Sequence, residues 1–303
     1  MIKVTDVAFV RFSAPDLDAM ERFTEAFGLV KNERVGDTLY CRGTDPEPFV
    51  HVTHLGEPGF RGVAFDAASA DDLEAASQID GASAVEPIEE PGGGHRVRLS
   101  DPDGFSVEIV HGRDPLPALP IRQGSPINTG SNPVRFGTLQ RLEPGPAQVK
   151  RLGHCVLRVS NFNASANWYQ SKLGFVVSDE VYVGEKGNNL TAFMRCDRGE
   201  TYVDHHSLLC IGLGDAAFDH AAFEVEDFDA VMLGHDHLKG QGYDHHTGIG
   251  RHILGSQVYD YWKDPWGHVV EHFTDGDLLN NDAETGSCEP PVAVGTQWGS
   301  FSP

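Results

Sequence analysis

The sequence lacks a run of about 18 consecutive apolar residues, and it therefore predicts no membrane-spanning helix. It also lacks a Cys-x-x-Cys pair, and its five cysteines argue against a disulfide framework and for a reducing, cytoplasmic setting. Basic residues are scarce, since 23 Lys and Arg stand against 45 Asp and Glu and give a formal net charge of -22. This charge would repel nucleic acids and anionic membranes, so we expect neither as a partner. The first residues do not read as an export signal.

What is present is typical of a globular protein. The 303 residues are 40% hydrophobic and 22% charged, which is enough sequence for two ordinary domains. Histidine is unevenly distributed, because only four of the 15 histidines precede residue 150. The second half is therefore the expected place for chemistry.

The chain contains an internal repeat with a period of about 150 residues. VAFVRFSAPDLDAMERFTEAFGL near the start resembles GHCVLRVSNFNASANWYQSKLGF, which begins at residue 153. Each stretch predicts a strand ending in Arg-x-Ser, then a capped helix that stops at a glycine, Gly28 or Gly174. Further on, FRGVAF resembles FDHAAF, and DPDGFSVEIVHG resembles DPWGHVVEHF, where we expect a β-hairpin. The repeat predicts two similar α+β domains.

The repeat also predicts the domain boundaries. We expect a first domain over residues 1–112, a proline-rich crossover over 113–148, a second domain over 149–280 and an extended tail over 281–303. The crossover holds seven prolines, and its apolar side chains are expected to anchor it: Phe136, Leu139 and Leu142. The tail shows no helix or strand periodicity, and its aromatic residues are expected to pack on the body or on a neighbouring subunit: Trp298 and Phe301.

Superposition of the repeats selects three candidate metal ligands. The second half has His154, His220 and Glu271 where the first half has Val7, Gly62 and Glu108. Two imidazoles and one carboxylate on one side of a metal leave positions open for substrate and dioxygen, as Fe(II) enzymes require, whereas a structural zinc site is closed by four ligands. A lone histidine in a strand is more often a packing or surface residue than a ligand. The triad is favoured because one repeat selects all three positions, and it predicts one metal in the second half and none in the first.

The motifs RLGHCVLRV, HHSLLCIG, FDHAAFEV and GIGRHILGSQVYDYWKDPWGHVVEHF carry a family resemblance. The chain resembles the type I extradiol dioxygenases, which are catechol 2,3-dioxygenase-like members of the vicinal oxygen chelate superfamily. The resemblance covers nearly the whole chain and is most specific in the second half. It implies an α+β fold of two tandem vicinal-oxygen-chelate domains, each a pair of βαβββ modules, with a non-catalytic first domain and a catalytic second one.

The resemblance also implies roles for individual residues. It makes His154, His220 and Glu271 the metal ligands, and it implies three further catalytic residues: the acid–base histidine His206, the hydrogen-bond donor His252 and the substrate-binding Tyr261. His205 is the alternative to His206, and the two side chains are expected on opposite faces of a strand. Tyr261 lies ten residues before Glu271 across a hairpin, an even separation that places both on one face, and Tyr259 shares that parity.

The sequence predicts the type of reaction more clearly than it predicts the substrate. Arg251 stands directly beside His252, whereas several relatives have an arginine a few residues earlier, so recognition at this loop is expected to differ. The neighbouring histidines are expected on a solvated surface: His235, His237, His245 and His246. Aromatic residues that could line a pocket, or equally form core, are Trp168, Tyr169, Phe193, Tyr202 and Trp266. Substituted catechols, trihydroxytoluenes and hydroquinone-derived rings are the substrates suggested.

The resemblance therefore predicts an enzyme that opens an aromatic diol with dioxygen and Fe(II), with Mn(II) as the alternative metal. We expect a cytoplasmic homo-oligomer acting in the degradation of aromatic compounds. Two other functions stay open at this point. A glyoxalase-like isomerase would need no set of His206, His252 and Tyr261, and a non-catalytic binding or resistance protein would need no metal triad.

Overall fold

A computed structural model describes residues 2–301, so residues 1, 302 and 303 of the expected first domain and tail lie outside the described part. The elements of the first half are β1 (Val4–Ala14), α1 (Leu17–Phe27), β2 (Val30–Val35), β3 (Thr38–Arg42), β4 (His51–Leu55), β5 (Gly59–Ala67), α2 (Ala70–Ala76), β6 (Glu86–Pro87), β7 (His95–Ser100) and β8 (Ser106–His111). They form one sheet in the order β2-β3-β4-β1-β5-β8-β7-β6. Two βαβββ modules therefore meet at β1 and β5.

The second half repeats this arrangement. Its elements are β9 (Val149–Arg158), α3 (Phe162–Leu173), β10 (Phe175–Tyr182), β11 (Asn189–Cys196), β12 (Val203–Asp204), β13 (Leu208–Ile211), β14 (Ala217–Val225), α4 (Phe228–Gln241), β15 (Asp244–His252), β16 (Val258–Lys263), β17 (Val269–Thr274), β18 (Leu278–Leu279), β19 (Gly286–Cys288), α5 (Pro290–Ala293) and β20 (Thr296–Gly299). The large sheet has the order β19-β10-β11-β13-β9-β14-β17-β16-β15-β20, while β12 and β18 pair separately. The predicted α+β fold of paired βαβββ modules is confirmed.

The helix caps fix how the repeats correspond. The side chains of Asp16 and Asn161 accept hydrogen bonds from first-turn backbone amides of α1 and α3. Both helices end at a glycine in the left-handed region, Gly28 and Gly174, because glycine adopts that conformation without a steric penalty. The two capping residues are 161 − 16 = 145 positions apart. This offset is two residues shorter than the one given by the Arg-x-Ser motifs.

Strand pairing gives the same offset. Each of two central alanines pairs with one residue on either side: Ala64 with Phe9 and Glu108, and Ala222 with His154 and Glu271. His154 therefore corresponds to Phe9, and the correspondence with Val7 expected from the sequence is wrong. The error arose because the Arg-x-Ser motifs do not lie at equivalent points of the two strands. A shift of two residues keeps the same face of the strand, and the first half still has no histidine at the position that corresponds to His154.

The crossover is held by polar contacts of its backbone and side chains, and two of the apolar side chains expected to anchor it are exposed. Residues 113–148, all of which the structure describes, contain no helix or strand. Phe136 and Leu139 are 77% and 74% exposed, so the expectation that they anchor the crossover is wrong. The backbone amide of Leu119 instead donates a hydrogen bond to the Thr44 carbonyl at 2.7 Å.

The tail is more regular than its sequence indicates. β19 pairs with β10 and β20 pairs with β15, so the tail extends the large sheet at both edges. The extended tail pairs in this way because edge strands offer free backbone hydrogen-bonding groups, which the side-chain pattern of the tail does not indicate. Trp298 packs edge-on against Phe228 at 6.0 Å, and Phe301 packs against Tyr261 at 5.8 Å, so both pack on the body.

The two halves share one hydrophobic core. At their interface the Phe27 and His272 rings stack with centroids 3.9 Å apart. The His272 Nε2–H donates to the Phe27 carbonyl at 2.6 Å. The first half therefore supports the back of the strand that carries Glu271. Among residues 2–301, no helix is long and apolar enough to cross a membrane.

Candidate metal centre and cavity

The three candidate ligands lie on three adjacent strands. His154 is on β9, His220 on β14 and Glu271 on β17, which are neighbours in the sheet. The Nε2 atoms of His154 and His220 lie 3.3 and 3.4 Å from the same carboxylate oxygen, Glu271 Oε2. Because ligand atoms about 2.1 Å from a metal in adjacent coordination positions are about 3 Å apart, this spacing suits a single ion.

The buried polar atoms of this group also fit a cation. Glu271 is 0% exposed, and neither of its carboxylate oxygens accepts a hydrogen bond from any described residue. Burial raises the pKa of Glu271, and the nearby Tyr261 hydroxyl offsets only part of this rise, because the partner that this hydroxyl meets in hydrogen-bond geometry is His252. An unpaired buried carboxylate is costly, and a divalent cation would remove that cost.

The protonation states favour metal binding through Nε2. Burial lowers the pKa of His220, but a 2.7 Å hydrogen bond between its Nδ1 and Asp219 more than offsets this and raises it. The same bond places the ring proton on Nδ1 and leaves the Nε2 lone pair free for a metal. Burial holds the pKa of His154 well below its ordinary value, so this imidazole is neutral. Burial raises the pKa of Glu271, as expected for a carboxylate without a counter-ion.

His206 lies beside the triad and is linked to a second histidine. Its ring centroid is 4.1 Å from that of His154. Its Nδ1 is 3.1 Å from Nδ1 of His205, whose Nε2 is 2.6 Å from Asp179 Oδ2. The expectation that the two histidines point to opposite faces is wrong, because they lie between β12 and β13 and not within a ladder. Asp179, His205 and His206 instead form one hydrogen-bonded chain.

Tyr261 and His252 form the opposite side of the site. Tyr261 pairs directly with Glu271 across the β16–β17 hairpin, the shared face that the even spacing predicts. The Tyr261 hydroxyl lies 2.9 Å from His252 Nε2, and burial lowers the pKa of His252 to about 4. Tyr259, the alternative, stacks on His252 at 4.0 Å and donates its hydroxyl proton to the Ser300 carbonyl. Arg251 turns away from the site and pairs with Asp275 at 2.7 Å.

A cavity of about 950 Å³ opens over the triad. His154, His206, His220, His252 and Tyr261 all contribute to its wall. The rest of the wall is mainly apolar and includes Val181, Leu190, Phe193, Leu209, Ile211 and Phe218. This combination of an apolar wall with a few convergent polar groups is usual for a small-molecule site.

The expected pocket aromatics divide between cavity, core and surface. Phe193 lines the cavity, whereas Tyr169 is fully buried and donates to Asp101 at 3.0 Å. Trp168 and Trp266 pack against the main core, and Tyr202 is 65% exposed. Periodicity could not separate these cases, since it reports a buried face and not the element that buries it.

Sequence reasoning missed three contributors to the site. The cavity wall includes Phe60 and Phe105 of the first half and Phe301 of the tail. No local sequence pattern predicts these contributions, because the segments that carry the three residues are far apart in the chain and meet at the cavity only in the folded structure. Asp179, which pairs with His205, was missed as well; it lies in β10, the strand that follows the helix-stop glycine Gly174.

Three of the four histidines expected on a solvated surface are engaged. His246 lines the cavity. His245 Nε2 and His235 Nδ1 lie 2.8 and 3.1 Å from the carboxylate of Asp260. His235 and His245 are only partly exposed because β16 carries the fully buried Asp260 opposite them, whereas His246 faces the cavity.

Comparison with known proteins agrees with this geometry. Residues 151–272 match the glyoxalase/bleomycin resistance protein/dioxygenase superfamily. Residues 151–272 therefore carry the sequence pattern of this superfamily. The chain is 29% identical over 270 residues to metapyrocatechase 2 of Cupriavidus necator, an alignment that spans 88% of this chain and 79% of the relative. It is 27% identical to biphenyl-2,3-diol 1,2-dioxygenase of Sphingomonas paucimobilis, across 89% of this chain and 88% of that one.

Solved structures show the same fold over almost the whole chain. The 2,3-dioxygenase LapB from Pseudomonas sp. KL28 superimposes with a TM-score of 0.78 at 19% identity, covering 95% of this chain and 98% of that one. The Mn(II)-bound glyoxalase from Novosphingobium aromaticivorans superimposes with a TM-score of 0.80 at 24% identity, covering 100% and 93%. At these identities the likeness concerns the fold alone.

Proposed function

We propose that the protein is an extradiol dioxygenase that opens the ring of a substituted catechol or trihydroxybenzene with dioxygen, in the degradation of aromatic compounds. His154, His220 and Glu271 hold the metal. The observation that carries the proposal is this buried triad, whose two histidines line an apolar cavity with His206 beside them. The dioxygenase relatives that align across most of the chain support the same reaction.

We propose Fe(II) as the metal. One relative, from Rhodococcus jostii, is named an iron-dependent extradiol dioxygenase. When bound, the metal supplies Lewis acidity toward the diol oxygens and the redox chemistry that dioxygen requires. Mn(II) would suit the same ligands, and metal analysis of protein purified without air distinguishes the two.

His206 is the acid–base residue of this proposal. Burial holds its pKa well below the ordinary value, so the ring is neutral and able to accept a proton. The carboxylate of Asp179 accepts the Nε2–H of His205, which makes His205 Nδ1 an acceptor for the Nδ1–H of His206. The Nε2 of His206 is then the free base. It takes a proton from the substrate and returns it when the ring opens, which is worth about 10²–10⁴ in rate.

His252 and Tyr261 orient the substrate from the other side. Their 2.9 Å hydrogen bond holds both polar ends at the cavity wall. The Tyr261 hydroxyl stays protonated because burial and the Glu271 carboxylate raise its pKa, so it remains a hydrogen-bond donor. The apolar wall excludes water and favours a substrate with an apolar ring substituent.

The test is a screen of the Fe(II)-loaded enzyme with substituted catechols and trihydroxybenzenes, following oxygen uptake and the coloured ring-opened product. We expect one dioxygen to be consumed per ring cleaved, with both oxygen atoms in the product. Metal-dependent isomerisation of a thiol adduct without oxygen uptake would instead favour a glyoxalase-like enzyme. A cytoplasmic location and a homo-oligomeric state belong to the same proposal, and sizing of the purified protein tests the second.

A further inference from the structure

A second group of metal-binding side chains lies outside the cavity. His235 on α4, His245 on β15 and Asp260 on β16 come together from three elements of the second half. His235 Nδ1 is 3.1 Å from Asp260 Oδ2, and His245 Nε2 is 2.8 Å from Asp260 Oδ1. One ligand atom from each residue lies within 4.8 Å of the other two. None of the three residues lines the cavity.

The group is buried on one side and open on the other. Asp260 is 0% exposed, whereas the side chains of His235 and His245 are 15% and 31% exposed. Trp262 donates its Nε1–H to Asp260 Oδ2 at 2.6 Å, which fixes the carboxylate from behind. Water therefore has access to the imidazole side, where it could complete a coordination sphere.

Asp260 and Tyr261 belong to opposite faces of β16, because successive side chains of a strand alternate. Tyr261 faces the cavity, and Asp260 faces the helix that carries His235. The second group therefore lies behind the sheet, separated from the first by one strand layer.

We propose that His235, His245 and Asp260 form a second divalent-cation site, suited to Zn(II) or Co(II). The donor set is two imidazole nitrogens and one carboxylate, which these borderline ions accept readily. The separations of 2.8 and 3.1 Å between donor atoms match those of neighbouring ligands around one ion. The indole behind the carboxylate gives the site the outer hydrogen bond that orients a metal-binding carboxylate.

A metal ion bound to the two imidazoles would also neutralise the fully buried carboxylate of Asp260. Its consequence would be structural, since it would clamp α4 to the strand that positions Tyr261.

The test is equilibrium dialysis of the metal-free protein against micromolar Co(II), followed by metal analysis. We expect two Co(II) per chain for the wild type and one for His235→Gln/His245→Gln. Glutamine keeps an N–H donor for Asp260 while removing the imidazole ligand, so this variant retains the hydrogen bonds of a purely structural cluster. The matched variant His154→Gln/His220→Gln should also bind one Co(II), and its visible spectrum would report the second site alone.

Thermal unfolding gives an independent readout. Zn(II) should raise the unfolding temperature of His154→Gln/His220→Gln, and adding His245→Gln should remove the shift. Should the double substitution at 235 and 245 impair folding, His245→Gln alone, at the more exposed residue, should weaken Co(II) binding at least tenfold. Absence of bound Co(II) from His154→Gln/His220→Gln, or unchanged binding after loss of His245, would overturn the proposal and leave a hydrogen-bonded cluster. The site shares no residue with the cavity, so these outcomes are independent of the ring-cleavage assay.

Discussion

The two halves of the chain have the same arrangement of strands but place different side chains around an equivalent buried glutamate. In each half a central alanine lies between two strands, one of which carries a glutamate, Glu108 or Glu271. In the first half Arg11 Nε and Arg96 Nη1 lie 2.5 and 3.2 Å from the Glu108 carboxylate. In the second half two imidazoles face Glu271, and its oxygens accept no hydrogen bond from any residue between 2 and 301. The same buried acid is thus neutralised by arginine in one half and left for a cation in the other.

A pair of aromatic rings beside the glutamate also differs between the two halves. The register that equates Phe9 with His154 also equates Phe49 with His206. The Phe9 and Phe49 rings lie 4.8 Å apart, where the second half has its two histidines at 4.1 Å. The Arg11 guanidinium lies 4.6 Å from the Phe9 ring centroid and occupies this region. In the first half, packed phenylalanine rings thus occupy the two positions that histidines occupy in the second half.

The third ligand position is closed by backbone geometry. Gly62, the counterpart of His220, has a φ of +152°, and a Cβ there would lie 2.4 Å from the Ser106 carbonyl oxygen. No side chain fits, so restoring histidines to the first half would not restore a metal site. A duplicated fold can therefore lose a site through its backbone as well as through its ligands.

The largest effect expected from this comparison is that of Glu271→Gln. The neutral amide is a poorer ligand, so iron affinity should fall by more than about 100-fold, and turnover with it. The metal-free variant should be at least as stable as the wild type, because it no longer buries an unpaired carboxylate. Iron analysis, oxygen uptake and denaturant unfolding measure these effects. Full iron content with full turnover would exclude Glu271 as a ligand.

His206→Ala should have the next largest effect. Iron should stay bound, while single-turnover ring cleavage slows by about 10²–10⁴, because the proton-transfer group is gone. Phe49→Leu is the matched change in the first half and should leave the rate unaltered. His205→Gln should slow turnover less than His206→Ala, since it disturbs only the ring orientation. A His205 variant slower than the His206 variant would exchange the two roles.

Glu108→Gln tests the other side of the comparison. It breaks a buried ion pair with Arg11, so the free energy of unfolding should fall by about 3 kcal/mol. Iron content should not change. Denaturant titration beside Glu271→Gln provides the control, because the two substitutions are chemically identical. Equal stability of the Glu108 variant and the wild type would contradict the structural role given to its arginines.

The smallest effect concerns His51, whose counterpart in the second half is Leu208. Burial lowers the pKa of His51 to about 4, against 6.5 when exposed. Below pH 6.5 the His51 side chain binds a proton in the unfolded chain but not in the folded one. The free energy of unfolding therefore decreases as the pH falls. The loss between pH 7 and 5 should be about 2 kcal/mol. His51→Leu should flatten the dependence of unfolding free energy on pH in this range, and an unchanged slope would exclude His51 as its source.

The sequence predicted the repeat, the caps and the βαβββ modules because these depend on local pattern. Asp16 and Gly28 begin and end α1 through contacts with their own helix. The shared face of Tyr261 and Glu271 followed from hairpin parity alone. The choice of Val7 failed because a motif match does not report strand register, which depends on hydrogen bonds to a distant partner.

The sequence by itself predicted the fold class and selected the three candidate ligands, because a duplicated pattern places equivalent positions on equivalent strands. Only the tertiary structure decided what surrounds those ligands. Contact between His205 and His206, the cavity wall from Phe60 and the edge strand from the tail all join segments far apart in the chain. So does the meeting of His235, His245 and Asp260 behind the sheet. Such contacts depend on how the sheets and helices pack against one another, and the local periodicity of the sequence does not predict that packing.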